Sequence, residues 1–310
     1  MDTKLEIDLT CTPEFSLSKN IGQGKQYPSD PLPIEVQLAR QQVLALPKTA
    51  AALLPSADIP ISEFSKMDLP QVTSGFIMYK ARKWFSVEEP NVNIEDLRLR
   101  PVPNEAFLQA LDAAFGQSWF DGARSIIDQQ KGDDKERLPL WILTFWKKML
   151  HAIRAHAAWT RSSSWLARQQ PQDEDQGPIH ASQLLESLGW DKQLTCLRST
   201  VTTSMLQPFL STAWLSTDQI DMMVEWLNVH GQECYPAVAA SKILVVPLIF
   251  ASALSACSQL VDFKSGNLLY FEKVIKDKEI EKLYFPINLS GNHWIAGCID
   301  FSKAAVSFGV

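Results

Sequence analysis

Residues 283–301 read Leu283-Tyr-Phe-Pro-Ile-Asn-Leu-Ser-Gly-Asn-His-Trp-Ile-Ala-Gly-Cys-Ile-Asp-Phe301, and this stretch decides the fold. Leu283 to Leu289 is short and apolar, which predicts a strand. Pro286 inside it points to a sheet edge or a bulge, because proline cannot donate to a ladder. Ser290-Gly291-Asn292 is turn chemistry. Trp294 to Phe301 is a nearly continuous apolar run, the pattern of a central strand covered on both faces. Ser302-Lys303 then predicts a second turn, with a third strand from Ala304 to Phe308. The result is an antiparallel meander.

Upstream the period is helical. Asn104 is a candidate cap for a helix carrying Phe107, Leu108, Leu111 and Phe115 at helical spacing. Trp119, Phe120, Ala123, Ile126 and Ile127 predict a second short helix. Pro139 suits a first helical turn. Leu140 to Arg168 then predicts a long helix with Trp141, Phe145, Trp146, Leu150, Ile153 and Trp159 on one stripe. Asp218 to Asn228 predicts another, with Ile220, Met223, Val224 and Leu227 inward. Helices followed by an antiparallel sheet make the class α+β.

Four regions follow from composition. Residues 1–60 are rich in Pro, Ser, Thr and Gln and are expected to be largely disordered. Residues 74–168 are expected to be a helical region. Residues 169–178, Gln-Gln-Pro-Gln-Asp-Glu-Asp-Gln-Gly-Pro, are polar, acidic and proline-bounded, which marks a linker. Residues 179–310 form the last region.

The net charge of -6 and the pI near 5.5 argue against a nucleic-acid-binding chain, which needs a basic patch. Five cysteines, Cys11, Cys196, Cys234, Cys257 and Cys298, are scattered without a C-x-x-C pair. That pattern fits neither a disulfide framework nor a metal site, and it fits the reducing nucleus or cytoplasm. The first thirty residues hold no apolar signal core. Ile243 to Cys257 is uncharged, but Pro247 and several serines interrupt it, so buried core rather than a membrane span is expected.

His293 is the candidate catalytic residue. It stands where a turn meets a strand, a position at which a rigid scaffold presents a side chain to a loop. Cys298 lies five residues further along the same predicted strand, about 16 Å away, too far to share a proton with it. Hairpin register about Ser302-Lys303 places a residue near position 310 to 312 on the same face as His293.

The stretch resembles the histidine region of the ubiquitin-like-specific proteases, the SUMO-deconjugating cysteine peptidases and their relatives. Their pattern is an apolar strand, Pro-Ile-Asn, a short turn, His-Trp, an apolar strand and Ile-Asp. A second segment, Trp214-Leu215-Ser216-Thr217-Asp218-Gln219-Ile220, resembles the family's Trp-Leu-Asn-Asp motif, departing from it at Ser216 and Thr217. Together the two matches cover about residues 205–310.

The resemblance implies a truncated papain-like cysteine protease domain over residues 179–310. It implies His293 as general base to a cysteine, and Trp214 and Trp294 as rings that clamp the Gly-Gly tail of a ubiquitin-like substrate. The chemistry requires those types, because a neighbouring imidazole lowers a thiol's pKa and later protonates the leaving amine. Val310 occupies the expected acid position. The family's glutamine and nucleophilic cysteine would lie beyond it, so these residues alone are expected to be inactive. The expected partner is a ubiquitin-like protein or its conjugate, with no nucleic acid, membrane, metal or cofactor. A non-catalytic module binding such a tail, or a degenerate mobile-element remnant, is the competing reading.

Overall fold

The computed structural model describes residues 32–73, 78–98, 100–128, 136–169, 177–195, 201–234, 242–260, 266–291 and 293–309. It is a mixed chain of helices and antiparallel sheets that divides into two compact units. One unit is Met1–Ser56 with Met67–His156, and the other is Ala57–Lys66 with Ala157–Val310.

In the first unit, helix α1 (Ile34–Leu44) is preceded by Pro33 as its cap, and a short helix at Lys48–Ala51 is preceded in the same way by Pro47. Both prolines start helices, where a missing N–H costs nothing. Val43, Leu44, Leu46, Leu53 and Leu54 pack against the core, and the Thr144 hydroxyl donates to the Leu44 carbonyl at 2.8 Å. The expectation that residues 1–60 are disordered is therefore corrected for 32–60. Residues 1–31 lie outside the described residues.

Helix α2 (Glu105–Phe120) starts at Asn104, whose side chain accepts the Phe107 N–H at 2.9 Å, as the sequence predicts. It buries Phe107, Leu108, Leu111 and Phe115. It does not continue as a second helix. Gly122 takes a φ of 100°, its N–H reaches the Trp119 carbonyl at 2.9 Å, and the Ala123 N–H reaches Ser118 at 2.9 Å. This Schellman ending turns the chain into a strand.

Three strands form an antiparallel sheet in sequence order, β1 (Phe85–Ser86), β2 (Ser125–Asp128) and β3 (Glu136–Pro139). The expected helical region 74–168 thus also holds a three-stranded sheet, and Pro139 ends a strand instead of opening a helix. Asp128 and Glu136 face each other across the sheet, and the buried Arg100 guanidinium bonds both carboxylates, removing the like-charge repulsion. The long helix α3 (Ile142–Leu166) buries Phe145, Trp146, Leu150 and Trp159 along the predicted stripe. The division between the units falls within this helix, not at residues 169–178. Residues 170–176 of the expected linker lie outside the described residues, and Gly177 and Pro178 already belong to helix α4 (Gly177–Ser187).

In the second unit, residues 57–66 dock on the turn after α4. The Phe64 and Trp190 rings stack at 4.3 Å, and the Trp159 indole donates to the Trp190 carbonyl at 3.1 Å. Gly189 is required there, since a Cβ would meet the Ala57 carbonyl at 2.6 Å.

Helix α5 (Thr217–Cys234) follows. Next comes a four-stranded sheet in the order β7-β6-β5-β4, made of β4 (Ile243–Val245), β5 (Lys282–Leu289), β6 (His293–Asp300) and β7 (Ala305–Gly309). Residues 283–308 form the expected meander, and Asp300 faces Ala305 in the register set by the predicted turn. Strand β4 adds a parallel neighbour that the sequence reading missed, so this sheet is mixed. It pairs only with Lys282 to Tyr284, which leaves Pro286 with a ladder on one side alone and no bulge. Helices α6 (Leu248–Leu260) and α7 (Gly266–Asp277) cover one face, where Phe250, Phe271, Leu283 and Phe285 pack together. The other face is only partly covered, which corrects the expectation that β6 is buried on both sides. No helix among the described residues is long and apolar enough to cross a membrane.

Candidate functional site

The two sequence matches meet in space. Trp294 is the second residue of β6 and is half-buried, and its indole Nε1 donates to the Leu215 carbonyl at 2.8 Å. Leu215 follows Trp214 directly, so Trp294 is anchored on the backbone of the Trp214 turn. Trp214 is 69% exposed.

The turn that presents Leu215 is held by its own chemistry. Ser216 precedes the first residue of α5, and its backbone N–H donates to Gln219 Oε1 at 2.8 Å, while its hydroxyl bonds the same oxygen. Gln219 Nε2 donates onward to the Met205 carbonyl at 3.4 Å. This is one half of a capping box, in which the side chain at the third helical position closes back on the cap's N–H. Ser216 and Thr217 are where the sequence departs from the family motif, and Ser216 is the capping residue.

The face of α5 differs from the prediction. Met222 and Val224 are buried, whereas Met223 and Leu227 are exposed together with Trp226. The Asp221 carboxylate faces inward and accepts the first N–H of α6, from Leu248, at 2.8 Å.

His293 opens β6, opposite Leu289, and is half-buried. Consecutive strand residues point to opposite faces, so His293 shares a face with Ile295, Gly297 and Ile299, and Trp294 shares the other with Cys298 and Asp300. The structure therefore brings Trp294 to the Trp214 turn but sets the imidazole on the other side of the strand's first residues. Among the described residues the imidazole has no hydrogen-bond partner. The loop before it bends through Ser290 at φ 56° and Gly291 at φ 78°.

Neither described thiol, Cys257 or Cys298, forms a hydrogen bond to His293. Cys298 sits on the opposite face, across from Tyr284, and its thiol hydrogen bond pushes the Tyr284 phenol above its ordinary value. Cys257 is buried in α6. Cys11, Cys196 and Val310 lie outside the described residues, as does the side chain of Cys234.

Asp300 closes the β6–β7 hairpin. Its carboxylate accepts the Ser302 hydroxyl at 2.6 Å and the Lys303 N–H at 3.1 Å. The Ser302 bond, then the Lys303 amide and the nearby Lys282 and Lys303 charges, hold the carboxyl below its ordinary value against the effect of burial.

A groove of about 1190 Å³ lies elsewhere in the second unit, among α5, β4 and α7, with Asp218, Glu225, Leu244, Tyr270 and Phe271 on its walls. Trp214, His293 and Trp294 do not line it. No protein-family model, curated protein or solved structure matches the chain.

Proposed function

We propose that residues 205–309 form the histidine and tail-clamp side of a papain-like catalytic domain. The domain is of the ubiquitin-like-protease kind, a cysteine-type peptidase acting on SUMO-type conjugates or precursors after a Gly-Gly tail, in the nucleus or cytoplasm. One observation carries this reading: the 2.8 Å bond from Trp294 to Leu215. It joins two segments that resemble the family independently and lie far apart in the chain. Accidental matches have no reason to meet.

In this reading the Trp214 and Trp294 rings flank the tail, and only glycine, lacking a side chain, passes between them. His293 begins its strand, so a tail held on the Trp294 face has to pass over the strand's end to meet the imidazole on the opposite face. There the imidazole takes a thiol proton and returns it to the leaving amine. With no described thiol hydrogen-bonded to His293, these residues are read as binding a tail without cutting it.

Calorimetric titration with a SUMO-type protein tests the reading. Binding is expected with the mature Gly-Gly end and is expected to be lost when the two glycines are deleted or Trp294 is replaced by Ala. Binding that ignores the two glycines, or no binding at all, would overturn it.

A further inference from the structure

Asn288 stands beside Trp294 with an acceptor that no described residue answers. It faces Trp294 in the β5–β6 register, so the two side chains are neighbours on one face of the sheet. On that face the Trp294 indole is tied to the Leu215 carbonyl. The Asn288 Oδ1 is shut off from solvent, and among the described residues it has no hydrogen-bond partner. Such an atom is rare in a folded protein and lowers its stability, because it has left water without gaining a donor. Features that oppose stability in this way gather at functional sites.

We propose that Asn288 is a tail-binding residue, its Oδ1 accepting a backbone N–H of the Gly-Gly segment as that segment passes the Trp294 ring. The inference rests on the peptidase reading above. Two glycines carry no side chains, so apart from their thinness they offer a partner only backbone amides and carbonyls. Flat rings select for thinness alone. An acceptor beside one ring adds recognition of the amide and fixes how far the tail has advanced. Asn288 as a residue is only half-buried, and the terminal torsion of an asparagine turns easily, so the carboxamide can swing toward an entering chain.

Calorimetric titration of the full chain with a SUMO-type protein ending in Gly-Gly, together with urea unfolding of the free chain, tests it. Asn288→Leu, an apolar side chain of similar size, is expected to leave the unfolding midpoint unchanged or raised. It should still weaken tail binding about 2- to 10-fold, the range of one neutral hydrogen bond. Asn288→Asp, which keeps an acceptor at the same place, should retain the affinity. A second arm removes the donor from the tail, by placing N-methylglycine at the last or the next-to-last position. One of these two tails should bind the wild type more weakly, and Asn288→Leu should lose little more with it. Binding that is lost with Trp294→Ala but unaffected by Asn288→Leu would overturn the inference and leave the peptidase reading standing. So would a lowered midpoint with unchanged affinity, or a methylation loss that adds in full to that of Asn288→Leu. A wild-type chain that binds no tail would overturn the reading itself, and this inference with it.

Discussion

The indole of Trp294 and the carbonyl of Leu215, 79 residues apart in sequence, are joined by a hydrogen bond of 2.8 Å. Trp294→Phe keeps an aromatic ring but removes the donor. The bond is half-buried, so its loss is expected to cost about 1 kcal/mol in urea unfolding. The exposed Trp214 should also become easier to quench with iodide or acrylamide as its turn loosens. An unchanged midpoint together with unchanged quenching would show that the bond does not organise the turn.

Gly297 faces Phe285 across the ladder, and a Cβ at 297 would lie 2.7 Å from the Phe285 ring. The ring lies over the glycine because there is no side chain to hold it off. Gly297→Ala is expected to destabilise the chain by about 1–3 kcal/mol through overpacking, read as a lower denaturant midpoint with an unchanged slope. A neutral substitution would mean that the ring moves aside freely.

The closure of Gln219 on Ser216 at the start of α5 gives a third prediction. Ser216→Ala and Gln219→Ala should each cost about 1 kcal/mol, and the double variant should cost less than the sum, since both belong to one closed arrangement. Additive losses would show that the two residues act separately.

Asp300 links the β6–β7 hairpin to pH. Its carboxyl is held below the ordinary 3.8 by Ser302 first and by the Lys303 amide. A depressed folded value stabilises above the ordinary value, and this stability is lost as pH falls through the depressed one. Asp300→Asn should therefore be less stable than the wild type at pH 7. The gap should narrow as the pH is lowered below about 4. A gap independent of pH would show that the carboxylate's charge is not what the hairpin uses.

Where the sequence spoke through local chemistry, it was legible. Asn104 capped its helix, the 107, 108, 111 and 115 positions were buried, and Ser302-Lys303 set the hairpin register. The errors have physical causes. Ile126 and Ile127 are adjacent apolar residues that suit helix or strand equally, and the glycine ending at Gly122, which decides for strand, went unread. The proline-rich composition of residues 1–60 suggests disorder, yet Pro33 and Pro47 each start a helix, because proline both breaks and starts helices. Met222 and Met223 are adjacent and equally apolar, so nothing local said which would face the core. The parallel strand β4 is only three residues long and its pairing is entirely non-local. At the site, the placement of Trp294 near Trp214 followed from the resemblance. The alternation that puts His293 on the other face comes from strand geometry, of which the resemblance says nothing.

The account stands or falls on whether Trp214 and Trp294 hold a Gly-Gly tail. The direct measurement is an indole N–H nuclear magnetic resonance titration of the chain, with the two signals assigned through Trp214→Phe and Trp294→Phe. The account predicts that a SUMO-type protein ending in Gly-Gly shifts both signals together and more than the indoles of the buried Trp159 and Trp190, and that the protein lacking the two glycines shifts neither. Shifts that are equal with and without the glycines, or signals that stay fixed at saturating partner, would contradict it.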